Sequence, residues 1–255
     1  MPHHQIKKVI KIKDVMSLSV AVVIITSGRK ELEKCVNSVR CQTYPCSVYI
    51  FTDAILSRSE YNAMADKYSS CHVSYWATKI GGKDLEGRRL IAAAPHLINE
   101  DITMFLMDDD WYKPNHVENA VKIIEQGHDW TFSFRSIYDK EGNYLFDDNC
   151  ESLGEYSDCW NTPGERFAET SSVAMKTPAY RNLANVYNIK GFGVDRHFYK
   201  LAKQMYPNVK GTGKHTMCFR LGGNEMSVQQ DFFVAGNAEM LRRHNGNLPW
   251  VNYEI

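Results

Sequence analysis

The stretch Met104-Phe-Leu-Met107 runs straight into Asp108, Asp109 and Asp110. Four apolar residues in succession read as a strand buried on both faces, which requires a sheet with a covering layer on each side. Three adjacent carboxylates at its end repel one another and resist leaving water. An exposed acidic turn tolerates them. So does a divalent cation held by their hard oxygens and shared with a phosphate-bearing substrate. The context favours the cation: the acids follow a strand, Pro114 lies just beyond, and a helical pattern comes next.

The rest of the first half alternates strands and helices. Ser19 to Ile25 is a second continuous apolar run, and Glu31 to Val39 spaces Leu32, Cys35, Val36 and Val39 as a helix does. Ser47 to Thr52 predicts a strand, Ser57 to Tyr68 a helix opened by a Ser57–Glu60 capping box, and His72 to Trp76 a short strand. Asp84 to Ile98 predicts a helix interrupted at Pro95, Thr103 to Met107 the acid-ended strand, and Asn115 to Ile124 an amphipathic helix. Strands recurring with helices between them imply an α/β fold, with helices on both faces of a mostly parallel sheet.

The second half is less regular. Trp130 to Tyr138 alternates as a strand and turns through residues 140–143 into Tyr144 to Phe146. Asn149 to Phe167 has no period and reads as a loop, a frequent place for recognition. Ser171 to Met175 predicts a strand, Pro178 to Asn185 and Val194 to Met205 helices, and Thr216 to Leu221 a last strand before a polar tail. The expected organisation is an extension over 1–18, one domain over 19–228 and a tail over 229–255.

Composition excludes several classes. Thirty basic and thirty acidic residues cancel, so no global field draws the chain to nucleic acid. Seven cysteines without a C-x-x-C pair read as reduced thiols of a cytosol-like compartment. The longest apolar run, Val20 to Ile25, is far too short to span a membrane, and the start has no apolar signal core. A cytoplasmic protein is expected, free or peripheral at a membrane.

Candidate ligand-binding residues cluster at predicted strand ends. Thr26, Ser27, Gly28 and Arg29 close the first strand, where parallel α/β sheets bind ligands. Their turn suits a phosphate at a helix N-terminus and, equally, an ordinary cap. Asp53 ends the second strand, placed for a base or ribose edge or for capping a turn. Arg88 and Arg89 are neighbours on one helix, so one should face a phosphate and the other solvent, unless both make surface ion pairs. If the strand persists through the acids, Asp108 and Asp110 share a side and Asp109 takes the other. Gly211-Thr-Gly213-Lys214-His215 imitates a phosphate-binding loop, but Asn208 replaces its first glycine and no strand is expected to lead into it. The first turn lacks G-x-G-x-x-G, which argues against a nicotinamide-dependent dehydrogenase.

Five segments in order carry a resemblance. They are Val22 to Arg29, Cys35 to Pro45 ending in Gln42-Thr43-Tyr44-Pro45, Asp53, Leu106 to Asp110 with Pro114, and Gly193-Val194-Asp195. A sixth, Arg220-Leu-Gly-Gly-Asn224-Glu-Met-Ser227, follows them. Together they resemble the GT-A glycosyltransferases, most of all the large family-2-like group, over residues 19 to 228. Departures are Thr26-Ser27 for the family's Pro-Thr, Thr52-Asp53-Ala54 for Asp-Asp-Gly-Ser, Gly87-Arg88-Arg89 for Ala-Arg-Asn and Val194 for Glu.

The resemblance implies a GT-A fold, with 19–127 binding the nucleotide sugar and 128–228 the acceptor. It implies transfer of a sugar from a nucleoside diphosphate sugar, a UDP-sugar, to a glycan or other hydroxyl-bearing acceptor. Asp195 would be the base of an inverting reaction. Thr26, Ser27, Arg29, Asp53, Arg88, Asp108 and Asp109 would bind the donor. Asp108, Asp110 and His215 would hold Mn²⁺ or Mg²⁺, the D-x-D register within 108–110 staying open. His215 is more often an ordinary loop histidine than a ligand, His244 is a second candidate, and Trp160 either stacks on a sugar or packs the core. The rivals are a nucleotidyltransferase-like enzyme and a catalytically silent carbohydrate- or nucleotide-binding protein of the same fold.

Overall fold

Every residue of β1 (Val20–Thr26) is buried, and its alternate side chains feed two different cores. Ala21, Val23 and Ile25 join the cluster on one sheet face, while Val20, Val22 and Ile24 join the other. This period of two turns an unbroken apolar run into a central strand covered on both sides. The computed structural model describes residues 17–251 except 54–56, 77, 82–84, 86, 161–164, 192 and 223–227.

After β1 come α1 (Leu32–Arg40), β2 (Ser47–Thr52), α2 (Arg58–Lys67), β3 (His72–Ser74), α3 (Arg88–Ala93) and β4 (Ile102–Met107). Next are β5 (Trp111–Tyr112), α4 (His116–Glu125), β6 (Trp130–Tyr138), β7 (Tyr144–Asp147), β8 (Val173–Lys176) and α5 (Thr177–Leu183). The chain closes with α6 (Val194–Met205), β9 (Val209–Arg220) and α7 (Gln230–Arg243). The strands form one sheet in the order β3-β2-β1-β4-β8-β6-β9-β5, with β7 also on β6. β3, β2, β1 and β4 are mutually parallel, and β6 and β9 are parallel to each other. β8 runs antiparallel between β4 and β6, so β4, β6 and β9 all point the same way. The architecture is α/β, with a mostly parallel central sheet flanked by helices.

The expected capping box opens α2: the Glu60 N–H donates to Ser57 Oγ at 3.2 Å, and the Ser57 N–H to the Glu60 carboxylate at 2.7 Å. Three expectations are corrected. Of the helix expected over 84–98, residues 84 and 86 lie outside the described residues; Gly87 at φ +83° precedes a helix over Arg88–Ala93, and Pro95 turns its end into a 3₁₀ turn. The last strand starts at Val209 rather than Thr216 and runs straight through the phosphate-loop look-alike. Its glycines and lysines hide it from propensity, while pairing with β6 makes it. The region expected as a polar tail forms α7, which buries Phe233, Gly236 and Met240, followed by buried Leu248 and Trp250. Gly236 lies so close to Cys150 that a Cβ there would meet its sulfur at 2.5 Å, so α7 docks directly on the 149–160 loop.

Among the described residues no helix is long and apolar enough to cross a membrane.

Candidate active site

β4 ends at Met107 and the chain turns at once: the Asp110 N–H donates to the Met107 carbonyl at 3.1 Å. The alternation expected through the acids therefore stops before them, and each carboxylate finds its own surroundings. Asp108 is buried and faces the end of β1, accepting from Thr26 Oγ1 at 2.7 Å and from the Ser27 N–H at 3.2 Å. Arg29 Nε stands 3.7 Å from its other oxygen, and the same guanidinium pairs with Asp109. Asp110 is buried too and accepts the Arg220 N–H at 3.0 Å. Burial pushes the Asp108 carboxyl up, held back by the Thr26 bond and Arg29. Burial, with Asp109 and Glu169 nearby, pushes Asp110 well above the usual carboxylate range.

Asp109 and Asp110, unlike Asp108, line a cavity of about 630 Å³. Lys30, Lys34, Lys140 and Arg220 also line it, as do Glu31 and Glu141, so cations and carboxylates are mixed around its walls. Lys34 Nζ lies 3.1 Å from the centroid of the Trp111 ring, and burial lowers the Lys34 pKa. Arg220 is held between Glu31, 3.2 Å away, and the Lys140 carbonyl, to which its Nε donates at 2.9 Å.

The chemistry of this wall fits a divalent cation shared with a diphosphate. Two carboxylates supply hard oxygens, and phosphate oxygens and water commonly fill the remaining positions. Among the described residues no three His, Cys, Asp or Glu side chains converge to hold an ion unaided. His215 stands apart. Its partner on β6 is Phe134, whereas Arg220, which meets Asp110, pairs with Tyr138. Four strand residues separate those positions, roughly 13 Å. The His215 ring contacts the Asp148 carbonyl at 3.3 Å and lies within 3.9 Å of Asp147, so it belongs to the sheet interior and not to the acid turn. His244 packs edge-on against Trp250, and Trp160, 46% exposed, leans on Phe232.

Two other candidates brace loops. Buried Asp53 accepts the N–H groups of Ile80 at 2.9 Å and Gly81 at 3.3 Å, so it braces a distant loop, while the turn that follows it, 54–56, lies outside the described residues. Arg88 Nη1 donates to the carbonyls of Ile189 at 3.2 Å and Gly191 at 2.9 Å, fastening the segment that leads into α6. Arg89 Nη1 donates to the Ile80 carbonyl at 3.2 Å. The expectation of one phosphate-facing and one solvated arginine is thus corrected: both bind backbone, because adjacent loops present unpaired carbonyls.

A second charged cluster gathers around the start of α6. Asp195 sits in its first turn, accepts the Arg196 N–H at 2.9 Å and lies 3.7 Å from the Arg196 guanidinium. That guanidinium rests 4.2 Å from the Phe167 ring centroid and 3.6 Å from Glu151. Burial raises the Asp195 carboxyl, with Arg196 and Arg135 opposing. Arg135 grips wholly buried Asp148 through Nε at 3.0 Å and Nη2 at 2.7 Å. Sequence reasoning missed Arg135, Asp148, Glu151 and Glu169. The available signal was Arg135 itself, a charge inside the apolar run of β6 that needed a buried partner.

No protein-family profile matches the chain, and no curated protein sequence does. Solved structures do. Residues 1–349 of Staphylococcus aureus TarS superpose with a TM-score of 0.57 at 14% identity, over 89% of this chain and 72% of that one. The same region in complex with UDP-GlcNAc gives 0.58 at 15% identity, over 88% and 66%. In complex with UDP it gives 0.56 at 15% identity, over 90% and 72%. Against a longer TarS chain the match spans 80% of this chain and only 37% of that one. TarS is a GT-A-type glycosyltransferase, and the likeness shows that this chain has the GT-A fold.

Proposed function

We propose that the protein is a glycosyltransferase that moves a sugar from a UDP-sugar to the hydroxyl of a glycan or other acceptor. One observation carries the reading: the acid turn 108–110 stands at the carboxyl end of β4, where Asp109 and Asp110 line an open cavity together with Lys30, Lys34, Lys140 and Arg220. The fold shared with TarS, which has been solved with UDP-GlcNAc and with UDP, supports the donor class.

Asp109 and Asp110 are the residues that would hold Mn²⁺ or Mg²⁺, with Asp108 fixing the turn from below. When bound, such an ion supplies Lewis-acid neutralisation of a diphosphate leaving group. Lys34, Lys140 and Arg220 add positive charge along the same wall. Asp195, raised by burial, takes the proton of the acceptor hydroxyl. Its oxygen bonds to the anomeric carbon while the carbon–oxygen bond to the diphosphate breaks, and UDP departs. Attack opposite the leaving group inverts the anomeric centre. All seven cysteines are free, in keeping with a cytoplasmic setting.

The test is a panel of UDP-sugars with manganese, reading UDP release with and without acceptor mixtures. UDP should appear, vanish in EDTA and vanish in Asp110→Asn. Pyrophosphate release from nucleoside triphosphates would instead mark a nucleotidyltransferase. Binding without turnover would mark a silent relative.

A further inference from the structure

One residue touches the proposed base twice. The Arg196 N–H donates to Asp195 Oδ1 at 2.9 Å, and Arg196 Nη1 stands 3.7 Å from the same oxygen. Both contacts fall on Oδ1, and the Asp195 side chain is 23% exposed, so Oδ2 is the oxygen left for a substrate hydroxyl.

Arg196 is itself held. Its Nη2 lies 3.6 Å from Glu151 Oε2, and the Glu151 side chain is only 9% exposed. The guanidinium carbon rests 4.2 Å from the centroid of the Phe167 ring. Phe167 is fixed in turn, its carbonyl accepting the Gly154 N–H at 2.9 Å and the Ser157 hydroxyl at 2.8 Å. The loop that the sequence marks for recognition, residues 149–167, thus supplies both the carboxylate and the ring that grip this arginine. An ion pair between neighbours on an open surface contributes little. Here the arginine side chain is 20% exposed, its flat face lies on a ring and its edges face two carboxylates, an arrangement that suits a guanidinium and not an ammonium.

We propose that Arg196 is the positioning residue of the base: it clasps Asp195 Oδ1 and presents Oδ2 to the acceptor hydroxyl. Oδ2 takes the hydroxyl proton as the acceptor oxygen bonds to the anomeric carbon, while the guanidinium keeps all its protons. The assignment rests on the glycosyltransferase reading and makes the 149–167 loop a support of the base, because Glu151 and Phe167 fix the arginine that fixes Asp195. The other titratable groups whose charge reaches Asp195 are Arg135 on β6, Glu151 and Glu169 between β7 and β8, and the Tyr187 phenol ahead of α6. All four stay in place in the variants below.

The first measurement is a carbon-13 carboxyl NMR titration of wild type, Arg196→Gln, Arg196→Met and Arg196→Lys, with the Asp195 signal identified by its absence from Asp195→Asn. Loss of a cation at this range disfavours the carboxylate, so either neutral variant should move the Asp195 midpoint up by about one pH unit. The lysine variant should lie between them and wild type. An unmoved midpoint in a neutral variant overturns the assignment. If neither neutral variant folds, a lysine midpoint equal to that of wild type does so. The second measurement is UDP-sugar turnover well above every midpoint, where Asp195 is ionised throughout. All three variants should there be slower than wild type by about tenfold or more, with the UDP dissociation constant unchanged. Wild-type rates at that pH overturn the positioning role, because Arg196 then only tunes charge. Wild-type turnover that does not follow the Asp195 midpoint removes the base reading, and the assignment with it, even where the NMR shift is seen.

Discussion

Thr26 donates its hydroxyl hydrogen to Asp108 at 2.7 Å, tying the ends of β1 and β4 together across 82 residues of chain. The same Oγ1 accepts the Gly28 N–H at 2.9 Å, so one hydroxyl shapes the first turn and steadies the acid. Thr26→Val keeps the shape and removes both bonds. It should lower the unfolding free energy by about 1–3 kcal/mol, the effect of leaving a buried carboxylate short of a donor. Urea denaturation at neutral pH reads this, and Thr26→Ser should restore most of it. A Val variant as stable as wild type would mean that Asp108 has found another donor.

Arg29 balances two of the three acids, touching Asp109 and standing 3.7 Å from Asp108. Its side chain is 35% exposed, so water screens the pair and its loss should cost only about 1 kcal/mol, or roughly 2–4 °C in Tm. Arg29→Ala should therefore melt slightly earlier in EDTA. Manganese should then raise its Tm more than that of wild type, because the ion replaces the missing charge and no longer competes with the guanidinium. Equal shifts in both proteins would separate the ion from Asp109.

How much of this was legible in the sequence depends on the range of the interactions. β1, β4 and α1 were plain because apolar spacing is local and their burial follows it. The acid turn was legible as a site, since three carboxylates after a buried strand need compensation wherever they lie. Which acid does what was not legible, because the strand stops at Met107 and Thr26, Arg29 and Arg220 then claim one carboxylate each. Arg88 misled for the same reason: its carbonyl partners lie about a hundred residues away in the chain. β9 was half hidden, as Gly211 is a strand residue only because β6 pairs with it and packs Phe132 against it.

Glu151 gives the fold a pH signature. Burial raises its carboxyl from 4.5 to about 7, with Arg135 and Arg196 opposing and Asp148 and Asp195 reinforcing. A carboxyl whose pKa is higher folded than unfolded binds more protons in the native state between those values. Its penalty is absent below the unfolded pKa and complete above the folded one, so stability falls as pH rises through that window. Glu151→Gln removes the penalty and should overtake wild type across pH 4.5 to 7, by up to roughly 3 kcal/mol above it. Denaturation curves of the two proteins at pH 5 and pH 8 measure the difference. A gap of the same size at both pH values would show that Glu151 does not titrate there.

Asp195 offers the sharpest separation of chemistry from binding. It lies in the first turn of α6 and is not among the residues lining the cavity of Lys34, Lys140 and Arg220, so its substitution should leave nucleotide binding intact. Asp195→Asn keeps the size of the side chain and its contact with the Arg196 N–H, so the fold should survive. Turnover should fall by about 10²–10⁴, the usual worth of a positioned base, with the UDP dissociation constant unchanged. The pH profile adds a second reading. Wild-type turnover should rise with pH as the carboxyl loses its proton, and burial places that rise above the ordinary aspartate range. In the Asn variant the rise should disappear along with the rate. A variant that keeps both would give the proton to another residue, whereas one that keeps the rise at a reduced rate would assign Asp195 to positioning the acceptor.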